Sequence, residues 1–91
     1  MPIYVDTMFM LAKVGRLRAR WCHLIGDTEE ELHAFAQRIG LKRTWFQDRG
    51  MSHYDLTEKR RAMAIEAGAQ EINRRELVAK VRAYRQGKFR P

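Results

Sequence analysis

A small single-domain α/β sandwich is the fold class that this sequence predicts, and three observations predict it. Short β-branched and aromatic stretches, Ile3-Tyr4-Val5 and Ala19 to Ile25, alternate with longer stretches of helical period. Gly40 and Gly68 fall where such helices should stop. Ninety-one residues suffice for one modest core and not for two domains. Strand and helix in alternation imply a short, mostly parallel sheet of three to four strands with about three helices. The domain should occupy residues 1–86, with a basic, frayed tail at 87–91.

Ile3-Tyr4-Val5 reads as a buried strand that ends by presenting the carboxylate of Asp6. Residues 7–18 mix apolar and basic side chains around Gly15 without a clean period, and read as a connection. In the next strand Ala19, Trp21, His23 and Ile25 share one face, and Arg20, Cys22 and Leu24 the other. Leu32, Phe35, Ala36 and Ile39 then follow helical spacing, behind a capping box of Asp27 with Glu30 or of Thr28 with Glu31. Thr44-Trp45-Phe46 suggests a third strand, and the glycine-containing segment after it a loop that carries an exposed Tyr54. Thr57 caps a helix to about Ala67, and 69–72 make a brief strand. Asn73 with Glu76 opens the last helix, on which Leu77, Val78, Val81 and Tyr84 share a face.

Eighteen Lys and Arg against eleven Asp and Glu give a formal charge of +7, which favours polyanions, phosphorylated ligands or acidic protein surfaces as partners. Cys22 is the only cysteine, so a disulfide within the chain and a cysteine-rich zinc site are both excluded. No apolar run approaches the length of a membrane span, and no basic n-region precedes the apolar residues of the start, so a cytoplasmic protein is expected. The glycines form neither a G-x-G-x-x-G nor a P-loop. The sequence leaves the identity of a cofactor unknown.

Two arrangements can carry chemistry. The first is an anion site at the start of the helix that Thr57 caps, where backbone N–H groups, Lys59 and Arg60 would hold a phosphate with His53 and Tyr54 alongside. First-turn basic residues oppose the helix dipole unless an anion sits there. A solvated basic face explains the same residues. The second is a metal-assisted phosphoesterase or nuclease built on Asp6, His23, His53 and Asp55, which are the right ligand types although their spacing matches no metal motif. His53 and Asp55 point the same way if that piece is extended. Otherwise His23 is a half-buried strand residue, and Asp55 helps to cap the following helix.

Nucleic acid could stack on Trp21, Trp45, Phe46 or Tyr54, although burying Trp21, Trp45 and Phe46 in the core is the simpler use of them. His33 flanks the apolar stripe of its helix as a boundary residue. Cys22 faces away from His23 on a strand, which makes a Cys-His nucleophile pair awkward. A protein-interaction or inhibitor module for an acidic partner is a further reading.

Several separated blocks together resemble the domain of unknown function 4031 family: Tyr4-Val5-Asp6, Arg20 to Ile25, Asp27 to Ala36, Gly40-Leu41, Trp45-Phe46-Gln47, His53 to Thr57, Arg61-Ala62 and Gly68-Ala69. The resemblance implies a short protein of bacterial or phage type and carries no established activity. It also implies one shared surface that involves His23, Asp27, His33, Gln47, His53 and Asp55. Thr7 stands where the family pattern often has a second acidic residue, a departure that bears on Asp6 as half of a carboxylate pair.

Overall fold

A computed structural model describes residues 3–7, 10–14, 17–48 and 50–85, and for 10–14, 17, 18 and 85 the backbone alone. The expected tail lies outside the described residues. The elements are β1 (Ile3–Asp6), β2 (Met10–Val14), β3 (Leu17–Gly26), α1 (Glu29–Arg38), a 3-10 turn (Arg43–Trp45), β4 (Tyr54–Thr57), α2 (Glu58–Glu66), β5 (Gln70–Ile72) and α3 (Arg74–Arg85).

All five strands form one sheet, and it is mixed rather than mostly parallel. β3 pairs antiparallel with β1, β2 and β4, and among the described residues the sole parallel pairing is β1 with β5. Leu24 is paired with Val5 on one side and Tyr54 on the other; Trp21 likewise lies between Met10 and Thr57. β1 and β2 therefore run in succession along the same edge of β3, with β4 along the opposite edge. The expectation of a parallel sheet fails because residues 10–14, read as part of a connection, return directly on β3 from Val14 to Leu17. A mixture of apolar and basic residues hides the alternation there, so period alone does not find the strand.

The two faces of the sheet carry separate packing. Ile3, Val5, Cys22, Leu24, Tyr54 and Leu56 bury one face under Leu32, Phe35 and Ala36 of α1, Ile39 just after it, and Ala64 of α2. Tyr4, Ile25 and Ile72 take Leu77, Val81 and Tyr84 of α3 on the other face, with Met51. Val78 stands apart from this contact and is exposed. Trp21, Asp55 and Thr57 lie on the same face outside this apolar cluster, and His23 lies at its edge, where Leu77 and Val81 of α3 line a pocket with His23 and His53.

Local chemistry fixes the helix ends. Of the two possible pairs, Thr28 with Glu31 makes the cap: Thr28 Oγ1 accepts from the Glu31 amide and donates to its carboxylate, so the glutamate meets the hydroxyl of the capping residue. Asn73 and Glu76 cap α3 reciprocally. Thr57 Oγ1 accepts from the Arg60 amide, so the Asp55 cap is not made. Gly40 and Gly68 have φ of +81° and +112°, the left-handed C′ geometry expected of them. Thr44-Trp45-Phe46 is not a strand. Arg43–Trp45 make one 3-10 turn instead, and Trp45 is 41% exposed rather than filling the core.

Gly26 ends β3 where a Cβ would stand 3.0 Å from Ile3 Cδ1, 3.2 Å from the Thr28 carbonyl and 3.3 Å from Leu32 Cβ. The carbonyl belongs to the capped start of α1 and cannot retreat cheaply. Gly26→Ala is therefore expected to destabilise the fold by about 1–3 kcal/mol, as overpacking does. Urea denaturation measures it as a lower midpoint at unchanged slope.

Candidate metal centre

The open part of the sheet face is built by pairing. His23 on β3 lies opposite Asp55 on β4, and their side chains project to the same face. His53 is brought beside them by a bridge to Gln47, in which each backbone N–H donates to the other's carbonyl at 2.9 Å. One ligand atom from each of His23, His53 and Asp55 lies within 4.8 Å of the others. The two imidazole rings meet edge to face with centroids 5.2 Å apart.

Each histidine has one nitrogen already committed. His23 Nδ1 lies 2.7 Å from Asp6 Oδ2, and His53 Nδ1 lies 2.6 Å from the Met51 carbonyl oxygen. A carboxylate and a carbonyl can only accept, so both rings carry hydrogen on Nδ1 and have Nε2 left as the ligating nitrogen. His53 Nε2 is 3.6 Å from Asp55 Oδ1. Gln47 Nε2 donates to the other oxygen, Asp55 Oδ2, and so steadies the carboxylate. Two imidazole nitrogens and one carboxylate oxygen are a donor set suited to a divalent transition metal or zinc, with coordination positions to spare.

Asp6 takes a different role from that of a fourth ligand. It is 1% exposed, and Oδ1 accepts from the His23 backbone N–H at 2.8 Å while Oδ2 holds the ring. The carboxylate thus replaces a main-chain partner where β1 gives way to β2. Arg61 of α2 donates through Nε to the Asp6 carbonyl and pairs with Glu71 at 2.9 Å. Asp48, Ser52 and Tyr84 join their hydroxyl and carboxylate groups in a second network, which ties the loop before His53 to α3.

The remaining candidate residues separate. Tyr54 is buried on the opposite face, with its hydroxyl 2.8 Å from His33 Nδ1, and so is no exposed loop residue. β4 begins at Tyr54, and alternation sends it inward while Asp55 points out. His33 belongs to that opposite face, where burial lowers its pKa. Asp27 lies in the turn before α1, outside the three-residue cluster. Lys59 is exposed on α2. Cys22 is buried, and burial pushes its thiol up to about 12, which leaves it inert as a nucleophile.

Thr57 and Arg60 line a cavity of about 460 Å³ together with Trp21, Thr44, Trp45, Gln47 and Asp55. Sequence reasoning did not reach Thr44, nor the Met51 carbonyl as the anchor of His53. Only the 3-10 turn and the loop geometry bring them in. Trp21, named above as a possible stacking residue, precedes His23 by two on one strand face.

The chain belongs to the family described as Protein of unknown function (DUF4031), whose profile matches residues 3–84. No curated protein and no solved structure matches the chain significantly. Asp6, His23, Gln47, His53 and Asp55 all lie inside the matched span. Among the described residues, no helix is long and apolar enough to cross a membrane.

The hydrogen bond to Asp6 raises the pKa of His23 above its ordinary 6.5, against the opposing effect of burial. The folded state therefore holds this proton more tightly than the unfolded chain does. Its contribution to stability is complete below the unfolded value and disappears as pH rises through the folded one. Asp6→Asn, which keeps an acceptor for the His23 amide, should cost more stability near pH 5.5 than near pH 9. Thermal denaturation of both proteins at the two pH values tests this, and an equal loss at both would refute it.

Proposed function

We propose that this chain is a metal-dependent phosphoesterase that cleaves phosphodiesters, with His23, His53 and Asp55 as the metal ligands and Asp6 as the residue that positions His23. The observation that carries the reading is the committed Nδ1 atom on each histidine, which turns both Nε2 atoms into candidate ligands beside the Asp55 carboxylate. Metal-ligating histidines characteristically donate their other N–H to a carboxylate or a carbonyl in this way. A divalent ion held there would polarise a phosphoryl oxygen and lower the pKa of a coordinated water. The reaction is hydrolysis: the water oxygen bonds to phosphorus as the water gives up a proton, one P–O ester bond breaks, and the released alkoxide takes up a proton, so that water is consumed and an alcohol and a phosphomonoester are formed. The net charge of +7 favours the approach of a polyanionic substrate.

A binding-only reading places an anion at the start of α2, held by Thr57, Arg60 and backbone N–H groups. It is favoured by Thr57 and Arg60 lining the cavity that also touches Asp55. The acidic Glu58 in the first turn of α2 works against it, because its charge repels an anion there. In the metal reading the same Arg60 serves the substrate.

Calorimetric titration with zinc and with manganese separates the two. Wild-type protein should bind one ion, and His53→Ala should abolish the heat. Asp6→Asn should weaken binding about 10- to 100-fold, the effect typical of removing a ligand's orienting partner. Hydrolysis of bis(4-nitrophenyl) phosphate should require the metal and stop on chelation. Absence of titration heat with either metal would overturn the metal reading and leave the anion site in place.

A further inference from the structure

We infer that the cavity beside the metal centre is a base pocket, which makes the substrate a single-stranded nucleic acid whose unstacked base enters the pocket while its phosphate faces the metal ligands. The inference rests on the metal reading for the position of the phosphate, and on the cavity itself for the base.

The pocket is the next step along the same sheet face. On β3, Trp21 precedes His23 by two positions, and on antiparallel β4, Thr57 follows Asp55 by two, so that Trp21 stands opposite Thr57 and His23 opposite Asp55. The two rows are about 7 Å apart, two residues of an extended strand. Asp55 and Gln47 belong to both places: Asp55 is a candidate ligand, Gln47 holds its carboxylate, and both line the cavity. A molecule seated in the cavity therefore reaches the metal ligands without a gap.

The walls have the composition that a base requires. Trp21 and Trp45 contribute flat apolar surface, while Thr44, Gln47 and Thr57 contribute hydrogen-bonding groups. About 460 Å³ lies within the range of small-molecule sites. The guanidinium of Arg60 sits 5.3 Å from the Trp45 ring centroid and the Lys42 ammonium 5.7 Å from it, so cations rim the aromatic wall. Aromatic faces with adjacent Lys and Arg are the usual means of holding single strands, since every base offers a face to stack on. A base inside a duplex is not available to such a pocket. Trp45 is 41% exposed on the 3-10 turn, although a core of this size has use for every large apolar side chain.

Both tryptophans of the chain line this pocket, so intrinsic fluorescence reports on it directly. The experiment titrates wild type and Trp45→Ala with a short oligothymidylate, with an abasic phosphodiester of equal length and with a duplex, each with and without zinc. Because Trp45 lies outside the core, its truncation should leave the fold and the zinc titration heat intact. The single strand should shift and quench the emission saturably, and should bind about tenfold or more tighter than the abasic strand. Trp45→Ala should erase that advantage, with Trp21 as the remaining reporter. Equal affinity for the abasic strand, equal affinity for the duplex, or an unaltered advantage in Trp45→Ala would each overturn the base pocket. These outcomes are independent of the zinc titration, whose failure would overturn the metal centre whatever the fluorescence shows.

Discussion

The carboxylate of Asp6 sits where the strand that began at Ile3 must let go of its neighbour and start again as β2. At that gap β3 has no regular partner for the His23 amide, and an unpaired buried N–H would cost about 1–3 kcal/mol. Asp6 Oδ1 fills the vacancy, and Oδ2 turns the His23 ring at the same time. From the other side of the sheet, Arg61 takes up the Asp6 carbonyl. One residue thus closes a fault in the sheet, ties β3 to α2 through Arg61, and fixes the imidazole on which the proposed chemistry depends.

The division of the two faces follows from this. The face under α1 and α2 is packed mainly by apolar side chains, and Tyr54 meets His33 there through its hydroxyl. The opposite face is filled by α3 over Tyr4, Ile25 and Ile72. What remains beside it carries His23, His53, Asp55, Trp21 and Thr57, the residues whose polarity or shape the core does not need. Stability and chemistry are therefore borne by alternate residues of the same strands. Cys22 and Leu24 hold the fold while Trp21 and His23, between and beside them, face outward.

How far the sequence discloses this depends on the range of the interaction. Local patterns are legible: the Thr28 and Asn73 caps, the glycine stops of α1 and α2, and the alternation of β3 are all properties of neighbouring residues. The alternation even places Trp21 with His23 and separates both from Cys22. Pairing between distant segments is not legible. Residues 10–14 carry no clean period, and Thr44-Trp45-Phe46 has strand composition but turns tightly. The candidate centre was half visible for the same reason. His53 and Asp55 are local companions on an extended piece, whereas their meeting with His23 is set by β3–β4 register, and the anchoring of His53 by a carbonyl belongs to no side-chain pattern. Tyr54 misled because a loop was expected where β4 begins.

Thr57 is both the last residue of β4 and the cap of α2, so strand passes into helix with nothing between. Asp55, two residues before that junction, cannot shift without moving the helix whose Arg61 grips Asp6, which in turn holds His23. The chain of contacts closes on itself through the sheet. The ordering of Asp55 against His23 is thereby completed when the domain folds, and its conformational entropy is lost at that stage. A ligand arriving later meets donors already spaced, and its affinity is not diminished by having to assemble them.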